Sequence, residues 1–174
     1  MKPRRFNLTL ATLLITAACA LPAHAANYFA DNLPVDNVVN PGRVQPIGEV
    51  EVVEFFWYGC PHCAAFEPLL EDWVKELPST VKFIRLPASW NANMTNQQRW
   101  YFTLEALNRL DLHSKAFNDI HKKRMTLQTP AQIERWAGAQ KINIAEWRKA
   151  YNSQAVTERV NYAQAAYKRF ELNW

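Results

Sequence analysis

The segment EVEVVEFFWYGCPHCAAFEPLLEDW, residues 49–73, decides the fold of this chain. Its first part, Glu49–Trp57, is rich in β-branched and aromatic residues and almost continuously apolar, which predicts a strand buried on both faces. After Cys63, apolar residues recur at spacings of three and four and predict a helix, with Pro61 in its first turn. The paired cysteines, Cys60 and Cys63, therefore lie where a buried strand passes into a helix.

The N-terminal residues have the organisation of a signal peptide. An apolar run follows three basic residues, and an A-x-A cleavage site ends at Ala25. We therefore expect residues 1–25 to be a signal peptide that is cleaved after Ala25. Cys19 raises the alternative of a lipid anchor, but the residues before it lack the large aliphatic side chain expected three positions upstream.

The composition after cleavage is that of one nearly neutral domain. Cleavage removes 25 of the 174 residues, and the remainder has the length of a single domain. It also removes three of the 20 basic residues, and the remaining 17 nearly balance the 16 acidic ones. Such a balance gives no indication of nucleic-acid binding. The two remaining cysteines, Cys60 and Cys63, belong to an exported protein, whose surroundings preserve disulfides.

The rest of the chain is predicted to contain one more strand and then helices. Val81–Leu86 has strand character and ends at Pro87, and from Thr95 apolar residues recur at helical spacing. Thr95 and Gln98 resemble a capping box at the start of the first of these helices. The Trp and Tyr residues in the apolar stripes are predicted to be core. Further helices are predicted over Leu112–Ile120, from Thr129 and Pro130, from Asn143 with Glu146, and over Val156–Phe170.

The two-residue spacing of the cysteines has four chemical interpretations. A zinc or copper site needs more ligands, and the mature chain offers only three histidines and no second close cysteine pair. Haem attachment needs a histidine directly after the second cysteine, where the chain has Ala64. A structural disulfide stabilises most when it closes a long loop, which this pair does not. A dithiol that cycles with a disulfide is the interpretation we prefer, with metal binding and a structural bridge kept as alternatives.

The position of Cys60 at the helix start favours redox chemistry. Unpaired backbone N–H groups and the helix dipole stabilise a thiolate there, and His62, when protonated, adds positive charge nearby. Pro61 stiffens the turn. Cys63 lies one turn further on and is expected to be less exposed and less easily ionised. Because a stable Cys60 thiolate favours the reduced form, the Cys60–Cys63 disulfide is expected to be an oxidant.

Glu54 lies six residues before Cys60 among apolar residues. A buried and unpaired carboxylate is costly, so the pKa of Glu54 is expected to rise. Placed beneath the cysteine pair, Glu54 could pass protons to and from Cys63. The alternative is an ion pair with a basic residue such as Lys82, or a position at a solvated strand edge.

The segment EFFWYGCPHCAAFE, residues 54–67, resembles the active-site segment of the DsbA-type periplasmic thiol:disulfide oxidoreductases, which belong to the thioredoxin superfamily. Cys-Pro-His-Cys is the motif associated with the oxidising branch. Glu54 matches the buried acid of the family, and Pro68 matches the helix-kinking proline of thioredoxins. The predicted helices after Thr95 and the signal peptide agree with the same family.

The resemblance implies an α/β, thioredoxin-like fold interrupted by a helical insertion. Residues 26–94 would form the first part of the thioredoxin-like domain, residues 95–170 the helical insertion, and residues 171–174 the start of the return to that domain. The family also has a cis-proline loop after the insertion, and none of the ten prolines matches it. We therefore expect a C-terminally truncated chain without the closing strands and last helix, prone to aggregation when made alone.

For function, the resemblance implies a dithiol oxidase that donates the Cys60–Cys63 disulfide to newly exported proteins in the periplasm. Cys60 and Cys63 would be catalytic, supported by Pro61, His62 and Glu54. A membrane partner of the DsbB type would reoxidise the pair, and we expect a monomer with no cofactor and no metal.

Two other functions stay open. The first is a periplasmic disulfide isomerase or reductase, although the chain before the strand is too short for a dimerisation domain of the isomerase kind, and a plain reductase would lack the helical insertion. The second is a non-catalytic metal- or peptide-binding module.

Overall fold

The computed structural model describes residues 50–170 of the protein. The first described elements are strand β1 (Val50–Phe56), helix α1 (Pro61–Lys75) and strand β2 (Val81–Pro87). Helices follow without another strand in the described part: α2 (Ala92–Ala106), a 3-10 turn (Leu110–Leu112), α3 (His113–His121), α4 (Pro130–Ala139), α5 (Ile144–Tyr151) and α6 (Gln154–Arg169). We call helices α2 to α6 the helical insertion, after the expectation from the resemblance. The predicted signal peptide and residues 171–174 lie outside the described residues.

Strands β1 and β2 pair in parallel, and their register places Glu54 opposite Arg85. β1 ends one residue before the predicted Trp57. The prediction that this strand is buried on both faces is wrong for the described residues, because Phe56 is fully buried but Val50 is 53% exposed and the residues between them are half-buried. Its partial exposure has a physical reason: among residues 50–170, β1 has one neighbouring strand, and an apolar groove opens beside it.

Helix α1 begins and continues as predicted. Cys60 is its N-cap, Pro61 occupies the first turn, and the helix runs through Pro68 to Lys75. Leu70 packs inward, whereas three apolar side chains on the helix are 42–68% exposed: Phe66, Leu69 and Trp73. Together with residues of both strands they line the apolar groove, which has a volume of about 520 Å³.

The capping box predicted at Thr95 and Gln98 is wrong. Helix α2 starts four residues earlier, because the side chain of Asn91 accepts a hydrogen bond from the backbone N–H of Met94 at 3.0 Å. Thr95 lies inside the helix and its hydroxyl donates to the carbonyl oxygen of Asn91. Asparagine caps as well as threonine does, so the earlier residue sets the helix start.

Helices α4 and α5 start where the sequence indicated, and α6 starts at Gln154, two residues before the predicted Val156. Thr129 forms a full capping box with Gln132 at the start of α4, and the Asn143 side chain caps α5. Leu112 is an exception, since it lies in the 3-10 turn before α3 rather than in the helix. The tryptophans of the apolar stripes are core as predicted, namely Trp100, Trp136 and Trp147. The prediction is wrong for Tyr151 and Tyr167, which are only half-buried.

Helix α3 packs against α1, and this contact brings the helical insertion to the cysteine pair. None of the helices among residues 50–170 is both long and apolar enough to cross a membrane.

Candidate active site

A tight turn carries the chain from β1 into α1. The backbone N–H of Cys60 donates to the carbonyl oxygen of Trp57 at 2.9 Å, which leaves Tyr58 and Gly59 in the centre of the turn. A Cβ atom at Gly59 would collide with the indole ring of Trp57. Glycine is therefore required here by the close approach of an aromatic ring.

Cys60 is bonded to the helix that it caps. Its Sγ accepts a hydrogen bond from the backbone N–H of Cys63 at 3.4 Å, so a donor of the first helical turn points at the sulfur. A thiolate is a stronger acceptor than a thiol, and this arrangement stabilises the charged form. Pro61 and His62 are exposed on the turn that separates the two cysteines.

Cys60 and Cys63 are both free thiols and both half-buried, so the expected lower exposure of Cys63 is not evident. Burial raises the pKa of the Cys63 thiol to about 11, and the neighbouring Cys60 and Glu54 oppose its ionisation further. Cys63 therefore holds its proton at neutral pH.

An apolar cavity of about 150 Å³ adjoins the two sulfur-bearing side chains, lined by Trp57, Trp90, Cys60 and Cys63. The Trp57 and Trp90 rings meet edge to face with their centroids 5.8 Å apart. The Trp57 indole N–H donates to the side-chain oxygen of Gln97 at 2.6 Å, which fixes the ring from helix α2.

Glu54 pairs with Arg85, not with the Lys82 named as its alternative partner. The parallel register sets Arg85 opposite Glu54, and its Nε donates to Glu54 Oε2 at 3.0 Å. Only 12% of the Glu54 side chain is exposed. Burial raises the pKa of Glu54 to about 7 and outweighs the opposing charge of Arg85.

Arg85 contacts two carboxylates besides Glu54. It also lies 2.7 Å from Glu71 and 3.6 Å from Glu67, both on helix α1. Glu67 is 2% exposed. Burial disfavours its charge, but His113, Arg85 and Ser114 together outweigh that effect and hold the pKa of Glu67 below its usual range.

Sequence reasoning missed Arg85 and Glu67. A signal existed for Glu67, which lies four residues after Cys63 and so on the same helix face. Arg85 had no comparable signal, since its contact with Glu54 depends on the strand register.

A cysteine pair at the N-terminus of a helix, directly after a parallel strand, can cycle between dithiol and disulfide. Curated relatives are named for the same chemistry, although no family model matches the chain. The thiol:disulfide interchange protein DsbA of Bordetella pertussis is 42% identical over 127 residues, which are 73% of this chain and 61% of that protein. DsbA of Pseudomonas aeruginosa is 34% identical over 160 residues, which are 91% of this chain and 75% of that protein.

Solved structures show the same likeness. The crystal structure of Pseudomonas aeruginosa DsbA matches with a TM-score of 0.70 at 33% identity, covering 78% of this chain and 71% of that one. The oxidoreductase NmDsbA1 from N. meningitidis matches with a TM-score of 0.66 at 27% identity, covering 78% of this chain and 72% of that one. The chain belongs to the DsbA family, and its fold is thioredoxin-like with a helical insertion. It spans about three-fifths of the length of the Bordetella relative.

Proposed function

We propose that this chain is a thiol:disulfide interchange protein that donates its Cys60–Cys63 disulfide to newly exported proteins in the periplasm. The observation that carries the proposal is the hydrogen bond from the Cys63 N–H to Cys60 Sγ at the start of α1. A thiolate held there stabilises the dithiol form, which makes the disulfide form a stronger oxidant. Membership of the DsbA family supports the same chemistry.

The reaction follows from the different roles of the two sulfurs. A thiolate of the substrate attacks Cys60 Sγ, the Cys60–Cys63 bond breaks, and Cys63 leaves and takes up a proton. A second substrate thiolate then attacks the substrate sulfur of this mixed disulfide, and Cys60 leaves as a thiolate. Two electrons pass from the two substrate thiols to the cysteine pair, and the substrate gains one disulfide.

Glu54 is the proposed proton carrier for Cys63. With a pKa of about 7 it is protonated about half of the time at neutral pH, so it can both give and accept a proton. The leaving Cys63 thiolate needs a proton because the pKa of this thiol is about 11. Reoxidation needs the reverse transfer, from the Cys63 thiol to the Glu54 carboxylate. The alternative is that Glu54 is only a structural ion-pair partner of Arg85.

The partners and location follow from the family and the N-terminus. The predicted signal peptide supports export to the periplasm, where reduced exported proteins are the substrates and a membrane reoxidant of the DsbB type restores the disulfide. We propose a monomer that works without a cofactor. The apolar cavity beside Cys60 and Cys63 suits the apolar surroundings of a cysteine in an unfolded chain.

The test is stoichiometric oxidation of a reduced peptide with two cysteines by the oxidised mature chain. We expect one peptide disulfide for each Cys60–Cys63 disulfide consumed, and no reaction with Cys60→Ser. If the chain instead rearranges the disulfides of a misoxidised substrate and does not oxidise the reduced peptide, it is an isomerase.

Metal analysis of the reduced chain separates redox chemistry from the metal-binding alternative. Within residues 50–170 no three metal-ligating side chains lie together. Stoichiometric metal that is lost in Cys60→Ser, without peptide oxidation, would overturn the proposal.

A further inference from the structure

Two histidines of helix α3 contact one residue of the active-site turn. The hydroxyl of Tyr58 lies 2.9 Å from Nδ1 of His113, and both side chains are buried. The carbonyl oxygen of Tyr58 lies 2.8 Å from Nε2 of His121. Tyr58 is two residues before Cys60, so the helical insertion holds both ends of a residue in the centre of that turn.

The carbonyl partner fixes the donor nitrogen of His121. A carbonyl oxygen only accepts, so His121 donates from Nε2. Nε2 of His113 lies 3.5 Å from Glu67 without a hydrogen bond, and the ring is held by its Nδ1, which shares one hydrogen bond with the Tyr58 hydroxyl. Burial lowers the pKa of His113, in agreement with a neutral ring.

Trp57, at the start of the turn, is also held from the insertion, because its ring N–H donates a hydrogen bond to Gln97 of α2. Within the turn, the Trp57 carbonyl oxygen accepts from the N–H of Cys60. The turn is not rigid by sequence alone, because Gly59 at its centre is the most permissive residue. Contacts from outside the turn are therefore needed to fix where Cys60 lies.

We propose that His113 and His121 are positioning residues: by fixing Tyr58 they hold the turn that places Cys60 Sγ at the N-terminus of α1. When the His121 bond is lost, the turn samples other conformations and the Cys60 sulfur spends less time against the Cys63 N–H. The thiolate then becomes less stable and the disulfide less oxidising. The importance of this effect in the cell rests on the proposed function, but the effect itself is a property of the cysteine pair.

The experiment compares four variants of the mature chain. His121→Leu removes the donor, His121→Gln keeps an amide N–H of sufficient reach, and His121→Asn keeps the polarity with a side chain too short to reach. Lys122→Leu, at the exposed neighbouring position, is the matched control. For each we measure the rate of Cys60 alkylation at pH 7, the equilibrium of the Cys60–Cys63 pair with glutathione, and thermal unfolding.

We expect the Leu and Asn variants to alkylate about two- to fivefold more slowly, as for loss of a favourable helix-terminus interaction. Their glutathione equilibrium should shift towards the disulfide by a similar factor. The Gln and Lys122→Leu variants should behave as the wild type. Equal alkylation rates and glutathione equilibria in His121→Gln, His121→Asn and wild type would overturn the proposal. This comparison holds even if His121→Leu does not fold. An inactive wild type with these shifts present would refute the proposed function and leave the positioning role intact.

Discussion

Replacing Glu54 by leucine should stabilise the fold at alkaline pH. In the folded protein the pKa of Glu54 is about 7, against an ordinary value of 4.5. The folded state therefore binds more protons than the unfolded state between these two values. Stability falls as the pH rises through this window and is constant above it. Ionised Glu54 is thus a destabilising group at pH 8.

The magnitude follows from the same two values. At about 1.4 kcal/mol per pKa unit, the rise corresponds to about 3 kcal/mol of destabilisation above pH 7. The substitution also removes a hydrogen bond from Arg85, which costs about 1–2 kcal/mol, although Arg85 keeps Glu71 at 2.7 Å. We expect Glu54→Leu to be about 1–2 kcal/mol more stable than wild type at pH 8. At pH 4.5 the advantage should be absent or reversed.

The assay is urea unfolding of the reduced protein at several pH values between 4.5 and 8. The difference between wild type and variant isolates Glu54 from the other carboxylates. Glu54→Gln, which keeps the size but not the charge, should share the flattened pH profile. Glu76→Gln, at the exposed end of α1, should leave the profile unchanged. If Glu54→Leu is less stable than wild type at pH 8 and both profiles run parallel, Glu54 is an ionised structural partner of Arg85, and the proton-carrier role fails.

Three further outcomes are expected. Alkylation of the reduced chain near neutral pH should label Cys60 first, because the pKa of Cys63 is about 11, and mass spectrometry showing equal labelling would contradict this. Cys63→Ser should accumulate mixed disulfides with exported proteins on a non-reducing gel, while Cys60→Ser should form few; the opposite pattern would exchange their roles. Thr129→Ala should lower the free energy of unfolding by about 1 kcal/mol through loss of the α4 cap, whereas Thr129→Ser should cost little.

Local chemistry explains which features the sequence predicted well. Cys60 followed by Pro61 sets the start of α1 through the cap and the missing N–H of proline, and both act within one turn. The cap at Thr129 is equally local. The error at Thr95 has the same origin, since two capping residues four positions apart compete and the sequence gives no ranking between them.

Contacts between distant segments explain what the sequence did not predict. Burial of Glu54 could be expected from its apolar neighbours, but its partner depends on the offset between β1 and β2, which seats Arg85 rather than Lys82 opposite it. The contacts of Tyr58 span 55 and 63 residues. They arise only when α3 packs on α1, so no local sequence pattern predicts them.

The cluster around Arg85 explains why the pKa of Glu54 is raised. One guanidinium contacts three carboxylates, so full ionisation of all three would leave excess negative charge in a half-buried site. Glu67 keeps its charge because Ser114 donates to it and His113 lies beside it. Arg85 is the one partner that the described contacts give to the Glu54 carboxylate, so burial prevails there and its pKa rises. Two carboxyl groups of one cluster thereby acquire different pKa values, and Glu54, whose pKa is raised, is the one whose charge opposes the ionisation of Cys63 when Glu54 is ionised.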